Sequence, residues 1–335
     1  MKFLKIHQYN KNLDILTTQK AIKLLKDSFE SFLARELHLT RVSAPLFVAK
    51  SSGLNDDLNG SESPVAFTIS SLPDEQIQIV HSLAKWKRMA LHNYHFDLYE
   101  GLYTDMNAIR KDEDVSNLHS IYVDQWDWEM IIAESDRNLD YLQSVVKKIY
   151  SILLRTEDLI HANYPEIPQE LPDDITFFTS TELEEMYPDN TPEEREALIT
   201  KAHKAVFIMQ IGKLLSNGKP HDGRAPDYDD WELNGDLLLY STVLDRPIEI
   251  SSMGIRVDKA SLLSQLQSLD KEDRLALDFH KKLMAGELPF TIGGGIGQSR
   301  LCLFFLKKAH IAQVQASLWD DETLALCREN GLDVL

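Results

Sequence analysis

The sequence predicts an α+β protein, and three observations carry that prediction. Apolar residues recur at helical spacing over two long stretches, residues 13–39 and about 127–162. Apolar runs of strand length mark residues 205–211, 235–244 and 247–257. Near the C-terminus, a strand at 288–292 leads through Gly293-Gly294-Gly295-Ile296-Gly297-Gln298-Ser299-Arg300 into the apolar run 301–306, long enough to begin a buried helix. With 335 residues, 43% of them hydrophobic, the chain suits one large globular domain with insertions, or two domains.

In chain order, the first helix places Ile22, Leu25, Phe29, Phe32, Leu33 and Leu37 on one face, with charges between them. Residues 41–48 read as a strand interrupted by Pro45, which favours an edge or an interface. Residues 51–63, rich in Gly, Asn, Asp and Ser, form a loop carrying Asp56 and Asp57. Strands at 65–70 and 76–80 are joined by a turn at Pro73-Asp74. A helix then opens at His81-Ser82-Leu83-Ala84-Lys85-Trp86-Lys87-Arg88. Its three basic residues in four positions form either a solvated face or, at a strand-to-helix junction, a hold on carboxylate or phosphate.

A strand at 101–110 and a charged loop, Lys111-Asp112-Glu113-Asp114, precede a second strand at 118–129. Alternation puts Gln125, Asp127 and Glu129 on one face and Asp124, Trp126 and Trp128 on the other. Polar residues on one face between tryptophans suit a pocket that reads hydrogen bonds, although an exposed edge strand shows the same pattern. After the second amphipathic stretch, a short strand at 175–178 is followed by two acidic helices capped by Thr181 and Thr191, with Pro192 at the first helical position of the latter. The loop 221–231 sets Tyr228 and Trp231 among Asp227, Asp229 and Asp230. With Asp236 and Glu249 on the next strands, this cluster has the oxygen ligands that a hard divalent cation takes.

In the glycine-rich stretch, a strand-to-helix turn brings backbone N–H groups close to a ligand, and the helix N-terminus favours negative charge. Arg300, at the start of that helix, adds a planar cation that can grip phosphate or lie on an aromatic ring. A tight turn before a core helix has the same composition.

The balance of 35 basic against 53 acidic residues, a formal charge of −18, argues against a broad nucleic-acid or acidic-membrane surface. Two cysteines, Cys302 and Cys327, make no disulfide framework and fit a reducing compartment. Residues 1–10 lack a signal-peptide core, and no apolar run reaches the roughly 18 residues of a membrane span. The expectation is a soluble, cytoplasmic protein in which the Asn59-Gly60-Ser61 glycosylation acceptor has no role. A P-loop, an HExxH or paired CxxC zinc pattern, a GxSxG elbow and a dinucleotide fingerprint are all absent.

Taken in order, three segments resemble the motifs of class II aminoacyl-tRNA synthetases. The long helix with residues 41–45 resembles motif 1, a dimer interface. Arg110, the acidic loop and Gln125-Trp126-Asp127-Trp128-Glu129 resemble motif 2, and residues 293–300 resemble motif 3. Within that superfamily, residues 81–88, 122–129, 224–231, 250–256 and 292–301 closely resemble the ammonia-dependent asparagine synthetases of the bacterial A type, over essentially the whole chain. The resemblance implies a single class II synthetase-like catalytic domain over residues 1–335, an antiparallel β-sheet flanked by helices, with a helical insertion at about 128–204. It also implies a homodimer. With no anticodon-binding module ahead of motif 1 and an acidic pI near 5.0, a tRNA substrate is not expected.

The reaction so implied joins L-aspartate and ammonia at the expense of ATP, through β-aspartyl-AMP, giving asparagine, AMP and pyrophosphate. Attack of a carboxylate on the α-phosphate opposes two anions, so cationic clamps and Mg²⁺ are required. Arg110 is the candidate for the α-phosphate and the attacking carboxylate. Arg300 resembles the motif 3 arginine that stacks on adenine and reaches the γ-phosphate. Asp236 and Glu249 resemble metal-binding acids, with Ser252 nearby. Ser82 and Lys87 are assigned to the aspartate carboxylate, and Gln125, Asp127 and Asp229 to its ammonium group. Arg224 and Tyr228 complete the aspartate site, while Ser120, Gly294, Gly295 and Gly297 complete the ATP site. Asp56 matches the position beside the amide nitrogen, where a general base takes a proton from ammonium. Val123 stands where the wider class carries an aromatic against adenine, and the join from Trp231 to Leu233 leaves little room for a lid. Two other readings remain open: an aspartyl- or asparaginyl-tRNA synthetase paralogue serving another acceptor, and a non-catalytic amino-acid or nucleotide sensor.

Overall fold

The computed structural model describes residue 9, residues 12–56, residue 58 and residues 62–335. The expectations for residues 1–8 and 10, Asp57 and the Asn59-Gly60-Ser61 acceptor lie outside these. In chain order the elements are α1 (Ile15–Glu36), β1 (Leu39–Arg41), β2 (Phe47–Ala49), β3 (Ala66–Ile69), β4 (Leu72–Ile79), α2 (Ala84–Asn93), β5 (Gly101–Ile109) and β6 (Tyr122–Ile131). There follow α3 (Leu139–Asn163), β7 (Thr176–Thr179), α4 (Ser180–Met186), α5 (Pro192–His203), β8 (Ala205–Met209), β9 (Asp229–Ser241) and β10 (Arg246–Arg256). The chain closes with α6 (Lys259–Ser268), α7 (Asp278–Ala285), β11 (Thr291–Gly297), α8 (Gln298–Phe305) and α9 (Asp321–Glu329).

Eight strands form one sheet in the order β1-β5-β6-β11-β10-β9-β8-β7. The pairs at its two ends, β1–β5 and β7–β8, are parallel. All others are antiparallel. A smaller antiparallel sheet, β2-β4-β3, carries the segment before α2.

One face of the large sheet is dry. Phe29 of α1 stacks on Trp126 with ring centroids 4.8 Å apart. Leu25 and Leu33 of α1, Leu142 and Ile149 of α3, and Trp128 and Met130 of β6 belong to the same core. Because side chains alternate along a strand, burying Trp126 and Trp128 turns Gln125, Asp127 and Glu129 to the opposite face. β6 lies between β5 and β11, so the exposed-edge reading of this strand is excluded.

Several local expectations are corrected. The second amphipathic stretch is not one helix from residue 127: β6 runs to Ile131, and α3 begins at Leu139 behind Asn138, whose side chain accepts from Tyr141 N. The β3–β4 turn falls at Ser70-Ser71, and Pro73 and Asp74 lie within β4. Pro73 is tolerated because β2 pairs only with Ile77–Ile79, leaving no partner there to need its missing N–H. Residues 41–48 contribute to two sheets rather than to one interrupted strand, since β1 ends at Arg41 and β2 begins at Phe47. Thr179, not Thr181, caps α4, in a reciprocal bond pair with Glu182; Thr191 caps α5 as expected, with Pro192 at its start. Residues 229–233 are already strand, so no loop joins Trp231 to Leu233.

The largest correction concerns the glycines. Gly293, Gly294, Gly295 and Gly297 form the body of β11, pairing with β6 on one side and β10 on the other, not a turn. Their backbone groups belong to the ladder. What glycine provides here is an absent side chain: a Cβ at Gly294 would sit 2.6 Å from Met253 Cβ, and one at Gly293 would overlap the Glu129 carboxylate.

Candidate functional site

The polar face of the sheet forms the floor of a cleft of about 180 Å³. The α2 segment covers it with Ser82 and Lys87, β6 presents Gln125 and Asp127, and β11 leaves space at Gly294, Gly295 and Gly297. Arg110 just after β5, Ser120 before β6, Glu249 and Ser252 of β10, and Arg300 of α8 line it as well. Asp56, Tyr228 and Asp229 line it too. Of the expected site residues, only Arg224 and Asp236 are absent from the wall.

The basic run before and within α2 is not solvated: Lys85, Lys87 and Arg88 are all buried. Lys87 Nζ donates to Asp127 Oδ1 at 2.5 Å and to the Gly294 carbonyl at 2.9 Å. Burial lowers its pKa, against the pull of Asp127. In the floor, Arg256 donates to both oxygens of Glu129, at 3.0 and 2.7 Å, and to Asp229. Burial opposes the charge on all three; Arg256 holds the Glu129 pKa down, whereas the Asp229 pKa stays raised. Arg256 shares strand parity with Ser252, and that period-two signal would have found it from the sequence.

At the other end, Arg300 Nη1 donates 3.2 Å to the Glu249 carbonyl and lies 3.5 Å from its carboxylate. Arg224, behind the wall, donates to Asp236 and to Asp222. Asp236 faces Ser252 across the β9–β10 ladder. Its pKa is pushed up to about 7 by burial, opposed by Arg224 and reinforced by Glu249. The wider acidic cluster does not converge on a cation. Asp227 takes Lys85, Arg274 and His280, Asp229 takes Arg256, and Asp230 takes Arg137. Among the described residues, no group of three or more His, Cys, Asp or Glu side chains is arranged to hold a metal.

The N-terminus of α8 is also occupied from within the chain: Asp124 accepts from Ser299 N at 3.1 Å and Ser299 Oγ at 2.8 Å. That anion satisfies the helix end which the sequence reading offered to a ligand.

Asp56 is fully enclosed at the mouth between the small sheet and α2. It accepts from Ser82 Oγ and Leu58 N, each at 2.9 Å. Burial pushes its pKa up, partly offset by Lys85. Arg110, by contrast, makes one long bond, 3.4 Å to the His81 carbonyl, and its buried Nε has no partner among the described residues.

Gly295 tests the role of the bare strand. A Cβ there would lie 3.0 Å from Gln125 Cδ and 3.3 Å from Asp127 Oδ1. Gly295→Ala is expected to displace both side chains and cut turnover by roughly tenfold or more while costing about 1–3 kcal/mol of stability. Parallel kinetics and urea denaturation check this; unchanged turnover would remove the close-approach argument.

The eight-stranded, largely antiparallel sheet flanked by helices has the fold of the class II aminoacyl-tRNA synthetases. Asparaginyl-tRNA synthetase from Pyrococcus horikoshii, complexed with asparaginyl-adenylate, superposes with a TM-score of 0.65 at 15% identity, covering 91% of this chain and 70% of that one. A family model described as aspartate-ammonia ligase matches residues 16–331. An aspartate–ammonia ligase of Clostridium perfringens is 60% identical over 327 residues, covering 98% of this chain and 97% of that protein. One from Ruminiclostridium cellulolyticum is 57% identical over 332 residues, covering 99% of each. The chain belongs to the aspartate–ammonia ligase family.

Proposed function

We propose that this ligase makes L-asparagine from L-aspartate and ammonia, activating the side-chain carboxyl with ATP as β-aspartyl-AMP and releasing AMP and pyrophosphate. The observation that carries the reading is Arg110, a guanidinium at the cleft wall whose side chain makes one long hydrogen bond among the described residues, with the Glu113 and Glu249 carboxylates near enough to feel its charge. It shares the cleft with Lys87, Gln125 and Asp127 and with Glu249 and Arg300. A cation so placed offsets the repulsion between the attacking carboxylate and the α-phosphate.

Aspartate is anchored by Ser82 and Lys87 at its carboxylates and by Gln125, Asp127 and Asp229 at its ammonium, with Tyr228 and Ser252 closing the site; Arg224, held behind the wall by Asp222 and Asp236, stands back from it. ATP lies along Ser120, Gln125, Gly294, Gly295 and Gly297, with Arg300 on adenine and the γ-phosphate. An oxygen of the β-carboxylate attacks the α-phosphorus, and the bond to pyrophosphate breaks. Asp56 then takes a proton from ammonium. The free nitrogen lone pair attacks the β-carbonyl carbon, the bond to AMP breaks, and the surplus proton on nitrogen leaves with AMP.

Asp236 and Glu249 fit a Mg²⁺ ion that keeps one or two protein carboxylates and completes its shell with phosphate and water. Two mutually repelling carboxylates, with Asp236 Oδ1 lacking a partner among the described residues, support that fit. The ion would supply charge neutralisation on the phosphates. We read the chain as a single catalytic domain working as a homodimer through α1 and residues 41–45, without nucleic acid, in the cytoplasm. Among the described residues no helix is long and apolar enough to cross a membrane.

The test is asparagine formation from aspartate, ATP and Mg²⁺ with ammonium, and separately with glutamine, following AMP and pyrophosphate. Asparagine from ammonium with equimolar AMP supports the reading. Pyrophosphate exchange without asparagine would transfer the adenylate to another acceptor, and binding without turnover would make the chain a sensor. Asp56→Asn should lower amide formation by about 10² or more yet leave ATP–pyrophosphate exchange near normal. A carboxylate base works ionised, and burial raises the Asp56 pKa. Acidification should therefore slow amide formation before the ordinary carboxylate range is reached, and pyrophosphate exchange should not share that limb.

A further inference from the structure

A second cavity, of about 190 Å³, adjoins the cleft and shares Leu58, Arg110 and Glu113 with it. Glu62, Asp112, Glu113 and Asp114 oppose Arg110 and Lys111 around it, so its formal charge is 2 − 4 = −2. Asp112 is engaged by Lys111 and Ser63. One wall residue is of a different kind. His81, 0% exposed, lies between β4 and α2, directly against the Asp56 backbone.

The tautomer of His81 follows from its contact. Its Nδ1 lies 3.0 Å from the Asp56 carbonyl oxygen, which can only accept, so Nδ1 carries the hydrogen. Nε2 then holds a lone pair, and it is buried with no partner among the described residues. Burial pushes the His81 pKa down, so the ring stays neutral at physiological pH and the lone pair persists. A buried acceptor without a donor is costly unless a ligand completes it. An anionic rim and an inner lone pair suit a small cation that carries N–H donors. They do not suit an anion, and they suit an apolar molecule no better.

We propose that this cavity is the antechamber for ammonium, and that His81 Nε2 accepts a hydrogen bond from it on the way to Asp56. The inference rests on the asparagine-forming reading and adds the route of its second substrate. No bond is made or broken in the chamber. Ammonium keeps its proton until it meets the Asp56 carboxylate.

The test uses the full-length protein and ammonium chloride. In His81→Asn the amide nitrogen can still donate to the Asp56 carbonyl, while the Nε2 lone pair is gone. The expected result is a roughly tenfold higher KM for ammonium, with kcat at saturating ammonium and ATP–pyrophosphate exchange within about twofold of the parent. An unchanged ammonium KM overturns the proposal. So does an equal loss of exchange, which would make His81 a structural support for the Asp56 loop. Asp114→Asn provides a second measurement should His81→Asn misfold. It should raise the ammonium KM about two- to threefold at low ionic strength and by less at high salt, and an unchanged KM counts against the antechamber. A parent protein that makes no asparagine from ammonium overturns the underlying reading as well. One that does, with both variants kinetically normal, overturns this inference alone.

Discussion

Arg256→Met is expected to destabilise the protein by about 3–5 kcal/mol, the largest stability effect of any single substitution in the cleft floor. Arg256 is 2% exposed and joins β10 to β6 and β9 through Glu129 and Asp229. Removing it strands two buried carboxylates, whereas methionine fills most of the volume, so the loss is electrostatic rather than a cavity. The sign of the pH dependence follows. In the parent, the depressed pKa of Glu129 contributes stability above its unfolded pKa, which is lost as pH falls through the folded value. In the variant both orphaned acids should have raised pKa values and become easier to bury once protonated. The gap between variant and parent should therefore narrow from about pH 8 to about pH 5 in chemical denaturation. A gap that stays constant would mean lost packing, not orphaned charge. Arg256→Lys should recover only part of the loss, because an ammonium cannot reproduce the fork on Glu129.

Arg110→Ala is expected to lower ATP–pyrophosphate exchange by about 10²–10³ with little change in the unfolding midpoint. Arg110 contributes little to the fold by hydrogen bonding, since its one side-chain bond among the described residues is 3.4 Å long. Its removal should therefore separate activity from stability more cleanly than any floor residue. Exchange kinetics beside thermal melting checks both halves. A variant that melts earlier but keeps exchange would assign Arg110 to structure and leave the α-phosphate without its cation. In Arg110→Lys a point charge replaces the planar fork, and recovery should be partial.

The two long helices, the strands and the motif order were legible because each rests on a local signal. Period two in β6 separated Trp126 and Trp128 from Gln125 and Asp127, and the structure keeps that division. Fifteen expected residues do meet at one cleft: alternation aims Gln125 and Asp127 of β6 at it, while Asp56, Ser82, Lys87 and Arg300 reach it from loops and helices packed beside the sheet.

What the sequence left open depended on neighbours. A run of glycines has the same composition in a turn and in a strand. Only the flanking β6 and β10, whose Glu129, Gln125 and Met253 occupy the space of the missing side chains, decide that these glycines are strand. The Asp227–Trp231 acids looked like cation ligands, yet each of Asp227, Asp229 and Asp230 met a basic partner from a distant element: Lys85, Arg256 and Arg137. His81 read as the first residue of a helix that in fact begins at Ala84, and its proton position became definite only against the Asp56 carbonyl. By itself the sequence determined most of the helices and strands, the two faces of β6 and the family resemblance, since periodicity and motif are properties of short segments. Tertiary structure decided which charges are neutralised and which remain for substrate, because a charge buried 100 or more residues from its partner in sequence finds it only when the sheet closes.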